Sequence, residues 1–210
     1  MTLSILWFVL IAVLWTIYLI LEGFDFGVGM LLPFVAKGDR ERTQTVRTIG
    51  PHWDGNEVWL LTAGGATFAA FPEWYATMFS GMYLALFLIL VCLIIRVMAL
   101  EWRSKVATEK WRHAWDWAHT ISAWLVPILL GVAFANFVQG MRIEVVRPAT
   151  GAVVDPAQVP AHTLLRGASH QLTGGFFSLL TPFTLLGGAV TCLLFLTHGA
   201  LFTALKTRGA

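Results

Sequence analysis

The strongest constraint on this sequence is its long apolar runs, several of which pass eighteen residues without an Asp, Glu, Lys or Arg. A helix of about twenty apolar residues crosses a hydrocarbon core of roughly 30 Å. Only 12% of the residues are charged, compared with about 25% in soluble domains. The runs are continuous and do not alternate, which excludes the pattern of a membrane β-barrel. The sequence therefore predicts an all-α polytopic membrane protein.

We predict about five transmembrane helices, because five stretches have lengths near that of a span. The first begins at Leu3, and the others are Gly50–Phe71, Thr77–Ile95, Trp117–Gln139 and Pro182–Leu205. The first run lacks a basic n-region and a cleavage site, so it is expected to be a retained span rather than a signal peptide.

The spans suggest a division of the chain into three parts. Residues 1–140 are predicted to form a four-helix bundle, 141–181 an extracytoplasmic connection, and 182–210 the fifth transmembrane helix with a cytoplasmic tail. A single first helix from Leu3 to Val35 would be about 50 Å long. The sequence therefore predicts either a tilted, projecting helix or one that loosens at its glycines and proline.

Basic residues are unevenly divided between the two ends of the predicted spans. The connections 36–49 and 101–116, together with the C-terminal tail, hold ten Lys and Arg residues, whereas the opposite side holds three. By the positive-inside rule, the N-terminus is predicted to be extracytoplasmic and the two basic connections cytoplasmic. The net charge of +2 is small and gives no indication of nucleic-acid binding.

Gly50–Phe71 is the most unusual span, because its uncharged part is too short to cross a bilayer. The helix reaches across only if Asp54 and Glu57 lie at membrane depth or at its edge. The first span carries Glu22 and Asp25 in its second half, again three residues apart and on one helix face. With the predicted orientation, both pairs lie toward the cytoplasm on antiparallel neighbours, where they can form one polar pocket.

Acidic residues inside a membrane indicate a functional site, because their burial is costly. Buried carboxyl groups can exchange protons near neutral pH, which makes Asp25 and Asp54 candidates for a proton path. The alternative is that these acids cap helix ends or pair with Arg, and Asp54 is in a first turn, where a carboxylate suits the helix dipole. Glu22 and Glu57 are weaker candidates, since they can reach the headgroups. Asp116 is predicted to be the N-cap of the fourth span.

Histidine residues inside spans raise the question of haem ligation. His119 and His198 are the two that the pattern places in spans, and for both a hydrogen-bonded structural role is favoured over iron ligation. His52 is predicted at a membrane boundary, and His162 and His170 are predicted in an outer loop.

Other small residues predict packing rather than chemistry. Cys92 and Cys192 lie in apolar runs without a metal-binding or disulfide spacing. Gly64–Gly65 and Gly187–Gly188 are predicted to let helices approach closely.

The pair Thr181-Pro182 predicts the start of the fifth helix, with Thr as the N-cap and Pro at the first helical position.

Four motifs stand out along the chain. They are E-G-F-D-F-G-V-G (Glu22–Gly29), G-P-H-W-D-G-N-E-V-W-L (Gly50–Leu60), A-G-G-A-T-F-A-A-F-P (Ala63–Pro72) and W-R-H-A-W-D-W (Trp111–Trp117). Together they closely resemble subunit II of cytochrome bd-type quinol oxidases. The resemblance extends from the first to the fifth predicted span, and the combination of motifs is highly specific.

The resemblance implies a multi-pass subunit of a respiratory complex in the bacterial plasma membrane, one that oxidises membrane quinol and reduces dioxygen to water. It implies that haems b and d are held by a partner, the haem-bearing subunit I, and that this chain binds no cofactor of its own, although some members hold a structural quinone. Small accessory membrane subunits and lipid are the other implied partners. The resemblance also implies that polar residues of subunit II bring cytoplasmic protons toward the oxygen site. The motif match gives this role to Asp25 and Asp54, with Asp116 behind them and Glu57 ranked lower. Glu22, from its position on the first span, completes the predicted proton pathway.

The leading hypothesis is therefore a non-haem oxidase subunit that stabilises the haem-bearing subunit and relays protons, with no complete active site in this chain. A proton-coupled membrane transporter with the same acidic pocket and a structural scaffold whose acids cap helices remain open alternatives. The resemblance implies further spans beyond the five predicted here. The chain is thus expected to supply the first bundle and one helix of the second.

Overall fold

The structure is a computed structural model that describes residues 3–147, 150–155 and 169–207. Most of these residues are helical. The helices are α1 (Leu3–Val35), α2 (Asp39–Ile49), α3 (Trp53–Ala70), α4 (Pro72–Gly81), α5 (Tyr83–Trp102), α6 (Glu109–Gln139) and α7 (Pro182–Lys206). Between α6 and α7 in the sequence lie β1 (Ile143–Val146), β2 (Val153–Val154), β3 (Ser169–Leu172) and a 3-10 helix at Phe176–Leu179.

Among the described residues, α1, α5, α6 and α7 are long and apolar enough to cross a membrane. They confirm the predicted all-α polytopic architecture and correspond to four of the five predicted spans. The remaining predicted span corresponds to α3, which has 18 residues. Its first turns carry Asp54, Asn56 and Glu57, and it is not among the four apolar helices. That α3 crosses the membrane stays a prediction, as does the division of the chain into two bundles.

Helix α1 is continuous over 33 residues, with Pro33 inside its last turn. The structure therefore favours the long, projecting helix over one that loosens at its glycines. Its two halves have different environments. The first half exposes large apolar side chains such as Leu3 and Phe8. The second half, from Glu22 to Met30, is fully buried and packs against α3, α6 and α7.

Close helix contacts occur where glycines of α7 meet glycines of α1 and α6. A Cβ added to Gly199 would lie 2.2 Å from the carbonyl carbon of Gly27, and one added to Gly131 would lie 2.6 Å from the carbonyl oxygen of Gly187. Only residues without a side chain allow backbones to approach so closely. The packing prediction is confirmed for Gly187–Gly188. It is wrong for Gly64–Gly65 within the described chain, since a Cβ there would meet no atom within 4 Å.

The connections between spans are more helical than the sequence predicted. Residues 39–49 form α2, and α6 begins at Glu109, so the basic connection between α5 and α6 is short. Asp116 therefore lies inside α6, and its predicted N-cap role is wrong because Thr108 occupies that position. Pro72 begins α4 directly after Phe71, so Glu73 and Trp74 are helical. The predicted start of α7 is confirmed, because the Thr181 hydroxyl accepts a hydrogen bond from the Thr184 amide.

A three-stranded antiparallel sheet in the order β2-β1-β3 follows α6. Val145 of the central strand is opposite Val154 on one side and His170 on the other. The prediction that His170 is a loop residue is therefore wrong, because pairing between strands distant in sequence is not visible in local composition. His162, the other predicted loop histidine, lies outside the described residues.

The glycine contact between α1 and α7 predicts the effect of one added methyl group. In Gly199→Ala, the Cβ would collide with the α1 backbone, so we expect unfolding in mixed detergent micelles to become easier by about 1–3 kcal/mol. Gly65→Ala is the matched control, because its Cβ enters open space and alanine favours a helix by up to about 1 kcal/mol. Equal stability of the two variants would contradict the contact.

Candidate functional site

The polar centre of the structure is Arg96, which lies on α5 within an otherwise apolar helix. Its side chain is 0% exposed. A buried guanidinium is very costly unless opposite charges and hydrogen bonds compensate it. Three carboxyl groups from two other helices supply this compensation.

The carboxyl groups come from α1 and α3. The Arg96 Nη1 donates hydrogen bonds to Glu22 Oε2 at 2.6 Å and to Glu57 Oε1 at 3.0 Å. The Arg96 Nη2 lies 3.7 Å from Asp25 Oδ2. Glu22 and Asp25 are fully buried, whereas the Glu57 side chain is 19% exposed. We call these four residues the Arg96 cluster.

Two further side chains fix the geometry of the cluster. Asn56 Nδ2 donates to Asp25 Oδ2 at 2.7 Å and to the Leu21 carbonyl oxygen at 3.2 Å. The Asn56 amide thus links α3 to α1 beside the ion pairs. The Arg96 guanidinium carbon lies 4.3 Å from the ring centre of Phe26, a distance that permits a cation–π interaction.

Sequence reasoning found part of this site. Glu22, Asp25 and Glu57 do come together, as predicted for acids on neighbouring helices. Asp54 does not join them, since it is exposed in the first turn of α3 and no hydrogen bond or ion pair holds it among the described residues. Arg96, regarded as the end of a span, was missed. Acids inside a membrane protein need a positive charge nearby. The three acids could therefore have indicated that a basic residue of another span is buried beside them.

Asp116 belongs to a separate ion-pair network at the α2 end of the bundle. Arg103 Nε donates to Asp116 Oδ1 at 2.5 Å, and Arg42 Nη1 donates to Asp116 Oδ2 at 3.2 Å. Arg103 also donates to Asp39 at 2.8 Å, and Arg112 donates to the second oxygen of Asp39. This network attaches α2 to the connection between α5 and α6.

The charge of Asp39 is stabilised by its arginine partners. Partial burial opposes ionisation, but the hydrogen bonds and positive charges of Arg103 and Arg112 prevail and hold the pKa of Asp39 below its ordinary value. A lowered pKa means that ionised Asp39 stabilises the folded protein at neutral pH.

Neither span histidine has a site that would fit a haem. His119 is 2% exposed, and its Nε2 would lie 2.8 Å from a Cβ added to Gly29, so the imidazole packs against the α1 backbone. His198 is half-buried, with its ring edge against Phe24. The cavities at the α2 end and beside α4 have volumes of about 10 Å³ each, room for about one water molecule. In the described part of the chain, no group of three His, Cys, Asp or Glu residues is arranged for a metal.

The histidine predictions are otherwise mixed. His119 is buried as a structural residue, but neither of its ring nitrogens has a protein hydrogen-bond partner among the described residues, so its expected hydrogen bond stays a prediction. His52 precedes α3 and stacks edge-on against Phe24 and Phe202. The predictions for Cys92 and Cys192 are confirmed in that both are buried, free thiols.

The fold and the site together define a helical membrane protein with ionisable groups held in its interior. Such groups are retained in membranes mainly for ion or proton movement and for binding. The sequence matches the family described as cytochrome bd terminal oxidase subunit II over residues 3–210. The chain belongs to this family.

Relatives from distant bacteria agree with the family match. The chain is 41% identical over 207 residues to the cytochrome bd-I ubiquinol oxidase subunit 2 of Escherichia coli K12, covering 99% of this chain and 50% of the relative. It is 42% identical over 208 residues to a probable cytochrome oxidase subunit 2 of Haemophilus influenzae, covering 99% and 50%. It is 40% identical over 204 residues to the cytochrome bd ubiquinol oxidase subunit 2 of Bacillus subtilis, covering 97% and 54%. The chain thus spans about half the length of the curated relatives it matches.

The Arg96 cluster predicts a large effect of removing its cation. Arg96→Leu would remove the cation beside Glu22, Asp25 and Glu57, two of which are fully buried. We therefore expect a loss of about 3–5 kcal/mol in unfolding free energy, measured in mixed micelles. Adding Glu22→Gln to that variant should restore part of the loss. Exposed Arg47 provides the control, since Arg47→Leu should change stability by no more than about 0.5 kcal/mol. An Arg96→Leu variant as stable as this control would contradict the assignment.

The lowered pKa of Asp39 predicts a pH-dependent contribution to stability. Asp39→Asn should destabilise the chain at neutral pH by less than about 1 kcal/mol, because the Asp39 side chain is 45% exposed and solvent screens its ion pairs. The difference from wild type should begin to shrink as pH falls below about 4, where Asp39 of the unfolded chain takes up a proton. It should disappear only at a pH below the lowered folded-state pKa of Asp39, where both states are protonated. A difference that grows on acidification would contradict the network.

Proposed function

We propose that this chain forms part of the non-haem subunit of a bd-type quinol:oxygen oxidoreductase in the bacterial respiratory chain. The match over residues 3–210 to the subunit II family is the observation that carries the proposal. The names of the relatives from Escherichia coli and Bacillus subtilis support ubiquinol as the electron donor. The chain is proposed to stabilise the haem-bearing subunit and to help bring cytoplasmic protons to the oxygen-reducing site.

The charge of the Arg96 cluster supports the proton role. With all groups ionised, three carboxylates and one guanidinium would carry a net charge of −2 in a buried site. An uncompensated charge of this size is strongly unfavourable away from water. The cluster therefore favours binding a proton, and it can release that proton when a nearby charge changes.

Glu57 and Asp54 provide the proposed link to solvent. Glu57 is the partly exposed member of the cluster, and exposed Asp54 lies three residues earlier on α3. A proton accepted by Asp54 could pass toward Glu57, then to Asp25 and Glu22 inside. Asp116 is proposed to act at the α2 end, where it is ion-paired with Arg42 and Arg103.

Haem chemistry is proposed to take place in a partner subunit. The exposed apolar side chains of this chain can contact lipid or partner helices. Subunit I, which holds haems b and d, is the proposed main partner, with small accessory subunits, lipid and a structural quinone as further proposals. We also propose that α2 and the α5–α6 connection face the cytoplasm, because they carry most of the basic residues.

Asp54→Asn tests the proton role in the complete oxidase. If Asp54 accepts protons, its amide variant should lower quinol-oxidase turnover by about tenfold or more, since positioned proton-transfer groups contribute factors of this order. The haem content, measured by visible absorbance, should stay at the wild-type level. Glu73→Gln is the control, because Glu73 is an exposed acid on α4, away from the cluster.

Three outcomes would count against the proposed function. Wild-type turnover of Asp54→Asn at all pH values would exclude Asp54 as a proton acceptor. Loss of haem from the complex would instead favour a structural role. A purified chain that is colourless and stable without a haem-bearing partner would support a transporter.

A further inference from the structure

The interior beside the Arg96 cluster contains several polar atoms that no described protein atom satisfies. These are Tyr18 Oη, Glu22 Oε1, Asp25 Oδ1, Arg96 Nε and Nη2, and Nδ1 and Nε2 of His119. All five side chains are at most 2% exposed. Buried polar atoms in folded proteins nearly always have a hydrogen-bond partner, from the protein or from ordered water. A group of seven such atoms therefore points to a ligand that both donates and accepts hydrogen bonds.

His119, like Tyr18, is a member of this group that takes part in none of the ion pairs of the Arg96 cluster. It lies on α6, and its ring packs against Gly29 of α1. The neighbouring Thr120 hydroxyl donates to the Gly29 carbonyl oxygen at 3.1 Å, which fixes α6 against α1 at this level. A neutral imidazole has one donor and one acceptor nitrogen, so His119 needs two partners or one that can serve either nitrogen.

Arg96 approaches the same part of α1 from α5. Its guanidinium carbon lies over the ring of Phe26, which precedes Gly29 by about one helical turn on α1. Its free donors, Nε and Nη2, and the free acceptor oxygens of Glu22 and Asp25 lie in this region as well. The donors and acceptors thus complement each other, although they are too far apart to bond directly.

A small cavity lies one helical turn from His119, at the α2 end of the bundle. Its volume is about 10 Å³, and it is lined by Leu32, Pro33, Arg42, Asp116, Trp117 and Thr120. This volume admits about one water molecule. Asp116 lies about one helical turn before His119 on α6 and lines this cavity together with Thr120, the residue that follows His119.

We propose that buried water binds between His119 and the Arg96 cluster. A buried water molecule typically makes about three hydrogen bonds, and here its partners are a His119 ring nitrogen together with free atoms of Arg96, Glu22 or Asp25. The proposed water would link the Arg96 cluster with Asp116 on α6. This route is separate from the one that passes Asp54 on α3. Its use as a second proton path rests on the proposed function, whereas the binding of water does not.

The test is a cryo-electron microscopy map of the complete oxidase in lipid nanodiscs, at a resolution that reveals ordered water. In the wild type, we expect water within about 2.7–3.2 Å of a His119 ring nitrogen and water bound to Arg96, Glu22 or Asp25. In His119→Phe, which keeps the ring shape without the nitrogens, the water beside residue 119 should be lost. His119→Gln, which keeps a donor and an acceptor, should retain it. His198→Phe is the control, because His198 lies outside this group.

Water visible elsewhere in the transmembrane interior but not beside His119 would overturn the inference. Direct bonds from both His119 nitrogens to protein atoms would also overturn it. If His119→Phe does not assemble, the wild-type map and the His119→Gln map still decide the question. A negative result would leave the proton role of Asp54 standing, whereas normal turnover of Asp54→Asn would leave the water site standing.

Discussion

The compensation of one buried guanidinium determines how the helices of this protein are arranged. Arg96 of α5 can be buried only if acids of other helices reach it, and Glu22 and Asp25 of α1 and Glu57 of α3 do so. Ion pairs of this kind contribute little net stability but make the loss of either partner severe. They therefore specify which helix faces meet. The amide of Asn56 strengthens this specification, because it bonds to α1 beside the ion pairs.

Close backbone contact provides the second condition for the site. Helix α7 reaches α1 through Gly27 and Gly199, on the same stretch of α1 that carries the buried acids. Without a hydrophobic driving force between helices in lipid, packing of small residues is a main source of helix association. The polar cluster thus lies within tightly packed helices, where its charges remain away from bulk water and its protonation can respond to neighbouring charges.

Local patterns in the sequence predicted the helical class, four apolar spans and three of the acids that meet at Arg96. They failed where a residue's role depends on distant partners. Asp116 resembles an N-cap by its position before an apolar run, but the helix begins earlier and Arg103 binds the carboxylate. Arg96 resembles a span boundary, although folding buries it among acids. The sheet and the open surroundings of Gly64 and Gly65 likewise depend on neighbours that no local window contains.

We expect the Arg96 cluster to retain a proton at neutral pH, because its acids outnumber its cation. Infrared difference spectroscopy of the complete oxidase in lipid tests this most directly, since protonated carboxyl groups have a C=O stretch that carboxylates lack. A proton retained by the cluster predicts such a band at neutral pH. The band should be lost or shifted in Glu22→Gln, Asp25→Asn or Glu57→Gln, and it should be unchanged in the control Glu73→Gln. If none of the three cluster variants changes the band, all three acids are ionised. That result would contradict a proton retained by the Arg96 cluster.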